Sequence, residues 1–405
     1  MRAAELENRR LVSTHWGVYE AVADTPTAEA TALRALPEDP DPSPIGLAML
    51  DAWRSSVRVQ RPAVRAGWLE HGPQAGTGKG RGREPFVEVS WEKAFELVAG
   101  ELRRVRAQHG NQAIFGGSYG WSSAGRFHHA QSQVHRFLNA IGGYVRHSDS
   151  YSLGAARVLM PHVAASMDEL MAAHHGWDVL AEHTRLFVSF GGVPAKNAQI
   201  AAGGVSVHQV REGLNRMAAN GCRFVNFSPV RADLAVADEA LEWIPIRPGT
   251  DTAVMLALTC ETILADRHDR AFLATHCTGF DRWSRYLRGK DDGIVKDAQW
   301  AAAISGVPAE RIRSLAAQMA ATRSLVNVSW SLQRADHGEQ TYWAVVGLAA
   351  VLGQIGLPGG GFGVGYGAVN LIGSPYRRFG GPTLSQGRNA VEAFIPGARI
   401  SDMLL

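Results

Sequence analysis

Cysteine is scarce in this chain. Three occur in 405 residues, Cys222, Cys260 and Cys277, and none stand at CxxC spacing. That argues against a disulfide framework and against a cysteine-held zinc or iron–sulfur centre; the three read as buried thiols packing as small hydrophobes. Apolar runs of membrane-spanning length are also missing. Neither sign of charge is in excess: 41 basic and 38 acidic residues leave +3, with no long basic run, so nucleic acid and anionic membrane surfaces are not indicated as partners. GxGxxG is absent too, which argues against an ordinary NAD-binding Rossmann site. What is present, 46% hydrophobic and 20% charged residues, suffices for two or three domains with cores of their own and a small-molecule ligand.

The chain reads as alternating strands and helices. Arg9-Arg10 invites an export reading, but Leu11 to Gly17 runs into a candidate strand rather than an apolar signal core, so a cytoplasmic location is expected. Pro37 to Pro44, acidic and proline-rich, is a surface loop. A strand over Phe86–Val89 precedes Ser90 as N-cap, and Phe95, Leu97, Val98, Leu102 and Val105 carry helical spacing to a close near Gly110. Ala113-Ile114-Phe115 reads as a strand entering Gly116-Gly117, and Phe127 to Ile141 as an amphipathic helix. Apolar strands are expected at Arg185–Phe190, Cys222–Phe227, Glu242–Ile246 and Leu325–Trp330, with helices at about 206–220 and from Asp251. The fold class is α/β and multi-domain: a parallel α/β nucleotide-binding domain with a small N-terminal β-rich subdomain.

Ligands of parallel sheets sit beyond the carboxyl ends of the strands, and there the sequence is unusual. The four strands are followed by Gly191-Gly192-Val193-Pro194-Ala195-Lys196-Asn197, by Ser228-Pro229-Val230-Arg231-Ala232-Asp233, by Arg247-Pro248-Gly249-Thr250-Asp251, and by Ser331-Leu332-Gln333-Arg334. Asp251 is a carboxylate suited to the N–H edge of a guanine, Lys196 and Arg334 are cations suited to pyrophosphate, and small hydroxyls surround them. His128 and His135 lie two helical turns apart without an acidic partner, which favours a structural or surface role. Gly356 to Gly363 lacks the Lys-Ser/Thr of a phosphate-binding P-loop.

Most informative is Gly116-Gly117-Ser118-Tyr119-Gly120-Trp121-Ser122-Ser123, followed about thirty residues on by Ser148-Asp149-Ser150-Tyr151-Ser152-Leu153-Gly154. Glycine lets backbone approach a bulky ligand, and Tyr119 and Trp121 offer polar tips on rigid rings. Ser152, before Leu-Gly-Ala-Ala, is also a good N-cap candidate. With these motifs the chain resembles the molybdenum oxotransferases of the dimethyl sulfoxide reductase family, nearest to the cluster-free biotin sulfoxide and trimethylamine N-oxide reductases.

The resemblance implies a molybdenum ion held by bis(molybdopterin guanine dinucleotide), no iron–sulfur cluster, and removal of oxygen from an S-oxide or N-oxide with electrons from an external donor. It implies Ser152 as metal ligand, Tyr119 and Trp121 as donors to the substrate oxygen, and cofactor contacts from Tyr119, Gly120, Trp121, Ser122, Ser123, Lys196, Asn197, Ser228, Pro229, Gly249, Thr250, Asp251, Trp330, Ser331 and Arg334. A hard, oxidised molybdenum suits an alkoxide, whereas a Cys or selenocysteine ligand would indicate the nitrate reductase or formate dehydrogenase branches. Two positions depart from the family pattern: Val193 stands where Asn is usual, and Ser228 where Asp is. The domains expected are a small subdomain over 1–60, a discontinuous pocket domain over 61–165 and 355–405, and a Rossmann-like dinucleotide-binding domain over 166–354. The resemblance covers the front half of the family pattern, so a truncated or split gene product is expected, with a second chain supplying the remainder or with a non-catalytic remnant as the alternative.

Overall fold

A computed structural model describes residues 9–25, 27–75, 80–117, 129–201, 203–204, 206–374 and 383–404. The chain divides into two compact units: one of residues 1–20, 34–46 and 150–380, the other of residues 21–33, 47–149 and 381–405. Near the amino terminus β1 (Leu11–Thr14) and β2 (Gly17–Val22) pair antiparallel, and β3 (Ala32–Ala35) completes a small three-stranded sheet, as the β-rich N-terminal reading anticipates.

In the second unit β4 (Ala63–Arg65) pairs antiparallel with β5 (Phe86–Glu88). Helix α1 (Trp91–His109) follows; the Ser90 hydroxyl accepts from the Lys93 N–H, and Gly110 closes it. Both ends match the sequence reading, but the apolar face does not bury as expected. Phe95 and Val98 are exposed, Leu97, Leu102 and Val105 only half-buried. The strand expected at Ala113–Phe115 is displaced. Asn111–Ala113 forms a 3-10 turn and β6 is Phe115–Gly116, parallel to β7 (Val145–Ser148), which also pairs with Phe394–Pro396. The Asn111 amide explains the displacement: it donates to the carbonyls of Ile141 (3.2 Å) and Gly143 (2.6 Å), pinning the turn to the end of the next helix, Ala130–Ala140. His135 of that helix stacks on Tyr144 and bonds Gln386, a structural role; His128 lies outside the described residues. The segment after Pro396 forms a 3-10 run over Gly397–Leu404.

The first unit holds the main sheet. After helix α2 (Gly154–Val163), strands β8 (Leu186–Phe190), β9 (Arg223–Phe227), β10 (Leu241–Ile244), β11 (Ser324–Val328) and β12 (Gly361–Val364) form a parallel sheet in the order β10-β9-β8-β11-β12. Helices cover such sheets on both faces, so central strands are apolar throughout; every residue of β8 and β11 is buried. Phe190 and Phe227 stack at 4.6 Å on neighbouring strands. Helix α3 (Asp251–Leu264), apolar around most of its circumference, is buried along most of its length. Two strands end earlier than expected, β10 at Ile244 and β11 at Val328. Ser329 ends β11, because its hydroxyl accepts from the Ser331 N–H and caps a 3-10 turn over Trp330–Gln333. All three cysteines are free; Cys222 and Cys260 are buried, and burial pushes both thiols up to about 12. Among the described residues no helix is long and apolar enough to cross a membrane.

Candidate functional site

The strand order fixes where a ligand belongs. From β8 the chain runs outward through β9 and β10, then returns to β11 on the other side of β8. The connections therefore diverge between β8 and β11, the crevice at which open α/β sheets take their ligands. The loops there are in intimate contact. Gly191, at φ +81°, lies so close to the β11 loop that a Cβ would sit 2.7 Å from the Ser329 Cβ. Gly192, at φ +77°, would meet the Asp233 carbonyl oxygen at 2.5 Å, and the Val193 N–H donates to that same oxygen at 2.7 Å. Only glycine supplies both the left-handed backbone and the missing Cβ.

Ser228, fully buried, donates through Oγ to Asp233 Oδ2 at 2.8 Å. Asp233 thus brings a carboxylate to the loop in which Ser228 stands where Asp is usual in the resembled pattern, and sequence reasoning did not single it out. Pro229 beside it is exposed. Beyond β10, Arg247 donates to the carbonyls of Ala303 (3.0 Å) and Ile304 (2.9 Å), at the end of the helix Ala298–Ser305; its cation is spent on orphan helix carbonyls. Thr250 Oγ1 closes the same turn onto the Arg247 carbonyl at 2.7 Å, and Gly249 (φ +80°) has open space where a Cβ would be.

Asp251 opens α3 and is only 5% exposed. Among the described residues no cation lies within ion-pair distance of it, and burial raises its carboxyl to about 6 against a pull downward from its own backbone N–H. A buried carboxylate without a cation suits a ligand edge that donates N–H groups. Lys196 and Asn197 stand exposed on the short helix Ala195–Ala198 after β8, and Ser331 and Arg334 are exposed after β11. Neither Lys196 nor Arg334 is ion-paired among the described residues, which leaves both cations available to an anion. Trp330 is buried at the base of the β11 loop, and its indole N–H has no partner among the described residues.

Ser152 precedes α2, but it is not the cap. Leu153 holds the N-cap position and makes no side-chain cap bond. The N–H three residues past Leu153, that of Ala156, donates to Gln333 Oε1 at 3.1 Å, while Gln333 Nε2 donates to the Ser152 carbonyl oxygen. The Ser152 hydroxyl is half-exposed and bonded to none of the described residues. Tyr119, Gly120, Trp121, Ser122 and Ser123 lie outside the described residues. Among the described residues no three of His, Cys, Asp and Glu converge as a metal-ligand set.

The crevice, its cations and its buried carboxylate gain a context from known proteins. Residues 58–401 match the family model described as Molybdopterin oxidoreductase. The chain belongs to the molybdopterin oxidoreductase family. It is 48% identical to a biotin sulfoxide reductase of Cereibacter sphaeroides over 91% of this chain and 49% of that protein. Identity to a dimethyl sulfoxide/trimethylamine N-oxide reductase of Rhodobacter capsulatus is 39%, over all of this chain and 50% of that one. Among solved structures, acetylene hydratase from Pelobacter acetylenicus shares the fold at a TM-score of 0.51 and 18% identity, covering 85% of this chain and 44% of that chain. The chain thus spans about half the length of the curated relatives it matches. Membership of the molybdopterin oxidoreductases implies a molybdenum–molybdopterin cofactor, and the residues present fit such a group: two cations without an ion-pair partner and a hydroxyl without a hydrogen-bond partner among the described residues suit a phosphate and a hard metal ion.

Proposed function

We propose that this chain forms part of a molybdenum-dependent reductase that removes oxygen from an S-oxide or N-oxide. The reading is carried by the 48% identity to a protein named biotin sulfoxide reductase, together with a serine rather than a cysteine at the candidate ligand position. The cofactor, in its guanine dinucleotide form, supplies two-electron oxygen-atom chemistry when bound. Asp251 would accept the paired N–H groups of the guanine, Lys196 and Arg334 would neutralise the pyrophosphate, and Ser331 and Asn197 would complete the polar lining. Ser152 would hold the metal through its hydroxyl oxygen. Tyr119 and Trp121 would donate O–H and N–H hydrogen bonds to the substrate oxygen, where negative charge grows as the S–O or N–O bond breaks. Overall, an S-oxide with two electrons and two protons gives a sulfide and water, and an N-oxide gives an amine and water. The electrons come from an external donor.

The test is direct. The purified chain is analysed for molybdenum and guanine nucleotide, and assayed for biotin sulfoxide and trimethylamine N-oxide reduction with a reduced viologen. Bound molybdenum that disappears in Ser152→Ala, with turnover falling in parallel, is the expected result. Folded protein with neither metal nor turnover would refute the catalytic reading for this polypeptide. A second reading, which rests on the Asp251, Lys196 and Arg334 lining alone, is a chain that binds one dinucleotide without turning over substrate; guanine nucleotide found without activity would support it.

A further inference from the structure

We infer that Gln333 is a positioning residue that caps α2 in place of the Leu153 side chain and, through the Ser152 carbonyl, fixes the turn that presents the Ser152 hydroxyl for ligation. This rests on the reading of Ser152 as metal ligand. A helix leaves its first N–H groups without intrahelical partners, and a Ser or Thr at the cap ordinarily takes the one three residues on. Here Leu153 occupies the cap and its side chain offers no acceptor. Gln333 supplies one. Its carboxamide, 7% exposed, accepts from the Ala156 N–H at 3.1 Å and donates to the Ser152 carbonyl, reaching across 177 and 181 residues of sequence. Both halves of one amide are used on the two sides of the turn that carries Ser152.

Gln333 is itself held firmly. It ends the 3-10 turn capped by Ser329, and Gly338 packs so closely on its backbone that any Cβ there would collide with it. Its flanking residues Ser331 and Arg334 are the proposed cofactor contacts of the β11 loop. One side chain therefore ties the candidate metal ligand to the loop that would hold the dinucleotide, and a shift in either is transmitted to the other. Nothing local in the sequence marks Gln333, because its partners lie in a different segment.

The experiment uses the 405-residue chain with Gln333→Met and Gln333→Glu, reading hydrogen exchange at the Ala156 amide, melting temperature and bound molybdenum. Loss of one hydrogen bond corresponds to roughly tenfold in exchange, so Gln333→Met is expected to speed Ala156 exchange about tenfold and to lower molybdenum content at least several-fold. Gln333→Glu keeps the size, which guards against misfolding. Either carboxyl form keeps an oxygen that accepts from the Ala156 N–H, so Gln333→Glu is expected to retain Ala156 protection where Gln333→Met loses it. Unchanged Ala156 exchange in Gln333→Met, or protection lost equally in Gln333→Glu, would overturn the clamp. Lost protection with wild-type molybdenum would overturn the positioning role alone. Wild-type molybdenum in Ser152→Ala would instead sink the ligand reading, and with it the purpose given to the clamp, while the exchange data would still report the clamp itself.

Discussion

Replacing Asp251 by Asn should stabilise the protein and weaken its binding of guanine nucleotides. The carboxyl is 5% exposed, unpaired with any cation among the described residues, and raised to about 6 from 3.8. Keeping such a group ionised in the folded state costs about 3 kcal/mol at neutral pH, net of the bond from its own backbone N–H. The sign follows from proton uptake. Between about pH 4 and pH 6 the folded chain holds a proton that the unfolded chain has released, so stability falls as pH rises through this window and the loss is complete above it. Asn keeps the shape without the charge, and Asp251→Asn should therefore gain up to about 3 kcal/mol at pH 7.5 and almost nothing at pH 4. At roughly 2–4 °C per kcal/mol for a unit of 150–250 residues, the melting temperature should rise by roughly 5 °C or more. The same substitution removes the acceptor for the guanine edge, so GMP affinity measured by calorimetry should drop roughly tenfold or more. Melting scans from pH 4 to 8 on both proteins test the reasoning. An Asp251→Asn variant that is no more stable at pH 7.5, or that retains the slope between pH 4 and 6, would refute it.

Two further substitutions address the scaffold. Gly192→Ala places a Cβ 2.5 Å from the Asp233 carbonyl oxygen at φ +77°, and should cost about 2 kcal/mol or more and release the loop after β8, seen as faster exchange of the Val193 amide. Asp39→Asn breaks a buried cluster in which Asp39 Oδ2 lies 2.7 Å from His208 Nδ1 and Oδ1 accepts the His208 N–H at 3.2 Å; loss of about 3 kcal/mol is expected by urea unfolding at pH 7.

How much of this was legible depended on whether the cause was local. Ser90 as N-cap, Gly110 as helix end, and the apolar runs of β8, β9 and β11 follow from residue types within a few positions, and each is found there, β11 stopping two residues short of its expected end. Asp251 could be singled out because a carboxylate opening an apolar helix is conspicuous. Elsewhere the cause was distant. Ser152 had the local chemistry of a cap, yet Leu153 takes the N-cap position and a distant side chain, Gln333, supplies the acceptor. The strand expected at Ala113 gives way because Asn111 bonds carbonyls some thirty residues later. The apolar residues of α1 have helical spacing, yet spacing cannot say what covers them; Trp91 and Phe95 are 61% and 65% exposed. Nothing near Arg247 in sequence marks the helix carbonyls it satisfies, which lie 56 and 57 residues later.

The crossover between β8 and β11 also governs when the site comes into being. Ser189 and Asn327, hydrogen-bonded neighbours in the sheet, are 138 residues apart in sequence. A chain synthesised as far as β10 can pair β8, β9 and β10 and still possess no crevice, because one of its walls has not been made. Pairings of such separation form late. Occupancy of the crevice then reports that the last central strand has docked, and a ligand bound there stabilises only molecules that have completed the sheet.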